Sequence, residues 1–132
     1  MAIKNDYLLD MIARFVESLV QAMGKGRDGR QVEALVAYED VVGTVLDMDP
    51  EVALALSPAS LVTMMQISAV DESLAVYAAY ALERAAQVYD AAGDACAQLR
   101  RAQAAAVADA YGFPVTAVPH ELEEALAERE RG

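Results

Sequence analysis

The chain has 132 residues, a single cysteine and a net charge of −11. That length fits one domain burying roughly two thirds of the surface its unfolded chain exposes, and the lone Cys96 excludes an intramolecular disulfide. Residues 31–132 hold five basic against seventeen acidic side chains, a surface that repels phosphate backbones and anionic lipid and suits a basic or amphipathic partner, or simple solubility.

The first apolar segment carries Leu8, Ile12, Phe15, Leu19 and Met23 at helical spacing, which predicts a helix over 1–23 that opens at Asn5 or Asp6. Asp6, Asp10, Arg14 and Glu17 interrupt that segment, where an export signal needs an unbroken apolar run, so a cytoplasmic location is expected. Gly24-Lys25-Gly26 is expected to end the helix. Asp28, with Gln31 three residues later, resembles a capping box for a second helix. That helix is expected to run to about Met48 with Leu35, Tyr38, Val42, Val45 and Leu46 inward and Glu33, Asp40 and Asp47 outward. Pro50 suits the first turn of a short helix, and Ser57-Pro58 repeats the signal for the next, through Leu61, Val62, Met64, Met65 and Ile67. Val52 to Val70 is free of charge over nineteen residues, but Ser57-Pro58 splits it and a buried helix is the better reading.

A long helix follows from Asp71 to Ala92, with Leu74, Ala78, Ala81, Ala85, Val88 and Tyr89 on its inner face. Its opposite face carries Glu83, Arg84, Gln87 and Asp90 toward one end and Val76 and Tyr80 toward the other. Those two residues predict either a covering layer or a contact surface. Gly93-Asp94 then turns the chain into an alanine-rich helix, Ala95 to Tyr111, whose polar residues Gln98, Arg100, Arg101, Gln103 and Asp109 share no single face. Gly112 caps it. Pro119 starts a last helix with a narrow strip of Leu122, Ala125 and Leu126, whose end is expected to fray because Glu124 and Glu128 repel at i,i+4. The expected architecture is all-α: a single domain over 1–132 of about six to seven helices in antiparallel hairpins, with an N-terminal helix (1–23), a hairpin core (28–112) and a C-terminal segment (113–132).

Two glycine-to-proline intervals of equal length, Gly29 to Pro50 and Gly93 to Pro114, punctuate this pattern. Gly29 through Leu35 with Tyr38 resembles the turn and second helix of a tetratricopeptide repeat, and Leu46-Asp47-Met48-Asp49-Pro50 resembles its ending. Ala86, Tyr89, Gly93, Asp94 and Ala105 fall at the repeat's positions around the second corner. Each proline arrives one helical turn later than the repeat prescribes, and Gln98 stands where alanine is expected. Asn5-Asp6-Tyr7-Leu8-Leu9 with Ile12, followed by Val32-Glu33-Ala34-Leu35, is also similar to a family of short bacterial helical proteins. That resemblance implies a tetratricopeptide-like fold and carries no activity with it.

No constellation meets the needs of catalysis or cofactor binding. Cys96 and His120 lie in separate segments, which leaves the thiol as an expected core residue. His120 on a terminal segment would be a poorly held base. Asp47, Asp49 and Glu51 alternate as calcium-loop ligands do, but Pro50 intervenes and Val52 replaces the glycine of the turn. His120 with Glu123 and Glu124 lacks further inward ligands. Gly24, Gly26 and Gly29 follow no strand and precede no Gly-Lys-Ser/Thr. The chain is therefore expected to be a non-enzymatic protein-interaction module without cofactor or metal, binding a partner segment or itself. A structural homodimer is the alternative, and a metal or enzymatic site a distant third. Nucleic acid and membrane are not expected partners. Tyrosine and methionine offer adaptable contact surface, so Val76, Tyr77, Tyr80, Arg84, Met64 and Met65 are the candidate contact residues.

Overall fold

A computed structural model describes the backbone of residues 2–131 and the side chains of residues 6–131. The described residues form seven helices and no strand: α1 (Ala2–Arg27), α2 (Gln31–Leu46), α3 (Pro50–Leu54), α4 (Pro58–Ile67), α5 (Glu72–Ala91), α6 (Cys96–Tyr111) and α7 (His120–Arg131). No helix among them is long and apolar enough to cross a membrane.

Local chemistry sets most of the boundaries. Asp49 accepts a hydrogen bond from the Glu51 amide at 2.9 Å, with Pro50 opening α3. Ser57 accepts from the Ser60 amide at 3.1 Å, with Pro58 opening α4. Asp71 accepts from the Ser73 amide at 2.9 Å at the start of α5. Each satisfies one of the donors that a helix N-terminus leaves without an intrahelical partner. Gly93 and Gly112 take left-handed backbone with φ of 70° and 76°, closing α5 and α6 as glycine readily does.

Two boundaries differ from the sequence expectation. α1 starts at Ala2, ahead of Asn5 and Asp6, and continues through Gly24-Lys25-Gly26 to Arg27. Two glycines inside a long helix that packs on α2 and α7 weaken it without ending it, since tertiary packing outweighs about 1 kcal/mol of propensity each. The break comes at Gly29, φ 81°. The Asp28–Gln31 capping box does not form: Arg30 is the N-cap of α2, and Gln31 donates from its side-chain Nε2 back to the Gly26 carbonyl at 2.8 Å. Gln31 thus satisfies the end of α1 instead of the start of its own helix.

α5 is the central helix, packed mainly on α2 and α6 and also touching α1. Leu74, Ala75, Tyr77, Ala78, Ala79, Ala81, Leu82, Ala85 and Ala86 are all buried, so it is covered well beyond the single face expected of it. α1 and α2, like α5 and α6, are in contact and joined by short turns, and each pair is an antiparallel hairpin. α3 packs on α2, α4 on α6, and α7 returns to α1. Leu19, Leu61, Leu82 and Leu122 are completely buried, each contributing about 1.5–3 kcal/mol.

Two inward polar side chains fasten α6 to the rest. Arg100, 8% exposed, donates from Nε to Glu39 at 3.1 Å and from Nη1 to the Leu54 carbonyl at 3.0 Å. Gln103 donates from Nε2 to the Leu54 and Leu56 carbonyls at 3.1 and 2.8 Å. Tyr89 completes the cluster, donating its hydroxyl to Glu39 at 2.9 Å beneath the Arg100 guanidinium. The end of the short α3 therefore has its carbonyls satisfied by side chains from α6.

Candidate functional site

The expected contact residues do not form one surface. Tyr77 and Met65 are 0% and 1% exposed, so neither offers area to a partner. Tyr77 packs its ring 5.7 Å from that of Phe15 and donates its hydroxyl to Glu121 of α7 at 2.9 Å. Val76 and Tyr80 are half-buried against the core, and the Tyr80 hydroxyl lies 3.6 Å from the Met23 sulfur on α1. The covering layer anticipated for this face is thus in part α1. Met64 is half-buried on α4, which packs on α6. Arg84 lies over the Tyr38 ring at 5.8 Å.

Other residues named from the sequence are dispersed. Cys96 is exposed, contrary to a core role, because it falls in the first turn of α6, ahead of the buried Ala97 and Arg100. Its amide donates to Asp94 at 2.8 Å, and hydrogen bonding to Asp94 raises its thiol above the ordinary value. His120 pairs with Glu124 at 3.2 Å on an exposed face. Among the described residues no group of three or more His, Cys, Asp or Glu is gathered to hold a metal.

A groove of about 760 Å³ lies where the start of α1, the end of α2 with its turn into α3, and the α4–α5 turn converge. Leu8, Met11, Val45, Met48, Val70 and Leu74 supply its apolar lining, and Tyr7 stands at it 62% exposed. Asp40, Asp47, Asp49 and Asp71 also line it, with no lysine or arginine among the described lining residues. Asp71 is oriented by Ser73, whose hydroxyl donates to it at 2.6 Å.

The backbone of this groove carries strain. Asp47 and Ala69, each at φ 54°, are the two non-glycine residues with left-handed backbone among those described, and both line it. They close α2 and α4 in the same way. The Met48 amide returns to the Gly43 carbonyl at 2.9 Å, and the Val70 amide to the Met65 carbonyl at 3.0 Å. Gly43 makes the first turn possible, because a Cβ there would stand 2.8 Å from Pro50 Cγ and 2.9 Å from the Met48 carbonyl oxygen. Nothing in the apolar spacing of the sequence marks this groove. The carboxylates around Pro50 read in sequence as helix ends, which they also are.

Comparison of the chain with protein-family models, with curated proteins and with solved structures finds no match. The groove's own chemistry is the remaining guide to function.

Proposed function

We propose that the chain is a non-catalytic protein-interaction module whose acidic groove seats a basic amphipathic segment of a partner protein. The observation that carries this reading is an apolar, methionine-containing lining bordered by Asp40, Asp47 and Asp49, with no lysine or arginine among the described lining residues. Leucine and methionine side chains of a helical segment would fill the lining, with methionine adapting its shape to the contact. Lysine or arginine on the flanks of that segment would meet the aspartates, whose field raises the encounter rate and disfavours acidic competitors. Left-handed backbone at Asp47 and Ala69 supports the assignment, since strained conformations concentrate where ligands are clamped. The hairpins α1–α2 and α5–α6 are compatible with a tetratricopeptide-like scaffold, in which helix pairs present such a groove.

Fluorescence anisotropy with a labelled amphipathic peptide of leucine and lysine tests the proposal. Asp40→Asn combined with Asp47→Asn should weaken binding by about two- to tenfold, whereas Glu123→Gln combined with Glu124→Gln on α7, an equal change of charge, should leave it unaltered. Equal losses in the two variants would reduce the interaction to net charge and overturn the groove assignment. Equal affinity for a peptide whose lysines are replaced by glutamate would do the same.

A further inference from the structure

A second, smaller pocket of about 290 Å³ lies where the end of α1 meets α2 and the latter half of α5, and its chemistry is opposite to that of the acidic groove. Arg27 and Arg84 line it together with Gln87, the floor is supplied by Met23, Tyr38 and Val88, and no carboxylate is among the described lining residues. Elsewhere this acidic chain supplies its arginines with carboxylates: Arg14 with Asp10, Arg30 with Glu33, Arg100 with Glu39, and Arg101 with Glu83 and Asp90. Among the described residues Arg84 is half-buried with no carboxylate at ion-pair distance, whereas the other arginines without one, Arg27, Arg129 and Arg131, are exposed. Its guanidinium lies over the Tyr38 ring, and its Nε is buried without a hydrogen-bond partner among the described residues. A buried donor without a partner is costly, more so when it belongs to a charged group, and Arg84 lines this pocket, so an acceptor seated there would relieve it.

We propose that this pocket binds a monocarboxylate that bears an apolar substituent. A carboxylate presents two coplanar oxygens that match the guanidinium fork. The aromatic and aliphatic floor accommodates an attached hydrocarbon, and the volume lies at the small end of ligand pockets. The protein's net charge of −11 penalises a dianion such as phosphate about twice as strongly as a monoanion at the same place, which selects carboxylate over phosphate. Two sources share this chemistry, a free short-chain acid and the C-terminal carboxylate of a peptide. The inference is independent of the acidic groove, which it neither requires nor supports.

Titration of the full chain with sodium butyrate, against sodium chloride at equal ionic strength, should produce a saturable shift of the Arg84 Nε–H resonance in arginine-edited NMR spectra. Arg84→Lys, which keeps the charge and removes the fork, should weaken binding about tenfold. Arg27→Gln at the exposed edge should weaken it about two- to fivefold, and it carries the decision if Arg84→Lys lowers stability. A short peptide ending in leucine with a free terminus, compared with its C-terminal amide, separates the sources. Tighter binding of the free-acid peptide than of butyrate identifies a chain terminus, and equal or weaker binding identifies a small acid. A linear shift equal to that with chloride, tighter binding of inorganic phosphate, or full affinity in Arg27→Gln would overturn the assignment.

Discussion

Glu39 on α2 and Arg100 on α6 stand 61 residues apart in the chain and 3.1 Å apart in space. They form an ion pair with side chains only 19% and 10% exposed. Because Arg100 also serves the Leu54 carbonyl, its removal would take the cation from a partly buried carboxylate and one of two donors from a helix-end carbonyl, leaving Tyr89 on Glu39 and Gln103 on Leu54. Arg100→Ala should therefore destabilise the fold by about 3 kcal/mol, the lower part of the range for breaking a buried pair. Glu39→Gln, which keeps an acceptor for Tyr89 and Arg100, should cost less. Urea unfolding of both variants and their double mutant measures the coupling.

Gly43 and Gly24 make opposite predictions for the same substitution. Gly43→Ala gains helix propensity but drives a Cβ to 2.8 Å from Pro50 Cγ, so α2 and the start of α3 must separate, at about 1–3 kcal/mol for overpacking. At Gly24 the nearest atom to an added Cβ is the flexible Nη2 of Arg27 at 3.8 Å, and alanine should stabilise α1 by about 0.5–1 kcal/mol. Thermal melts of the pair that shift in the same direction would refute the close approach at Pro50.

Features decided by neighbours in sequence were legible, and those decided across the fold were not. Asp49-Pro50, Ser57-Pro58, Asp71, Gly93 and Gly112 act within three residues of themselves, by side-chain caps, by the proline ring or by left-handed backbone, and each ends or starts a helix as its residue type dictates. The all-α class followed from them and from the apolar spacing. Alanine faces on α5 gave no indication of which sides are covered, because alanine is at home buried or exposed. Arg100 and Gln103 face inward only because Glu39 and the Leu54 and Leu56 carbonyls wait there, 46 to 61 residues away. The groove unites three distant segments, around Leu8, Asp47 and Ala69, so no local pattern could mark it. Tyr77 has the chemistry of a contact residue, but Phe15 and Glu121, far from it in sequence, bury it.

Tyr77 also predicts behaviour in alkali. Its hydroxyl is held far above the ordinary value, first by burial and then by the hydrogen bond to Glu121 and that group's charge. A folded-state value raised in this way contributes stability that is fully present below tyrosine's unfolded value of about 10 and is lost as the pH climbs from there toward the folded-state value. Stability should fall steeply above roughly pH 10. Tyr77→Phe should lower stability at neutral pH by about 1 kcal/mol and flatten the alkaline limb. Some slope should persist, because burial raises Tyr80, Tyr89 and Tyr111 as well. Urea midpoints across that pH range, with an unchanged slope in the variant, would show that Tyr77 is not the group responsible.

Cys96 should be accessible yet slow to react. Its exposed position lets reagent reach it in the native protein, while hydrogen bonding to Asp94 raises its thiol and leaves little thiolate at neutral pH. Maleimide labelling should go to completion without denaturant, more slowly than a free small thiol, and Asp94→Ala should accelerate it. Labelling that requires urea would restore the core role expected from sequence.

Ala69 and Gly93 form a reciprocal pair on which the backbone geometry can be tested. Both adopt left-handed conformations, φ 54° and 70°, at the ends of α4 and α5, but only glycine does so without a Cβ penalty, which for alanine is about 1–2 kcal/mol. Ala69→Gly relieves that penalty and gives back about 0.5–1 kcal/mol through the freer unfolded chain, for a net stabilisation of about 0.5–1 kcal/mol. Gly93→Ala should destabilise by about 1 kcal/mol or less by the same reasoning. No atom lies within 4 Å of an added Cβ at Gly93, so that loss would be conformational and not steric. A valine there adds β-branching to the same backbone demand and should cost more than alanine. Urea midpoints at constant slope measure all three. If Ala69→Gly is neutral or destabilising, the turn bordering the acidic groove is not strained, and the support that strain lends to a binding role for the groove falls with it.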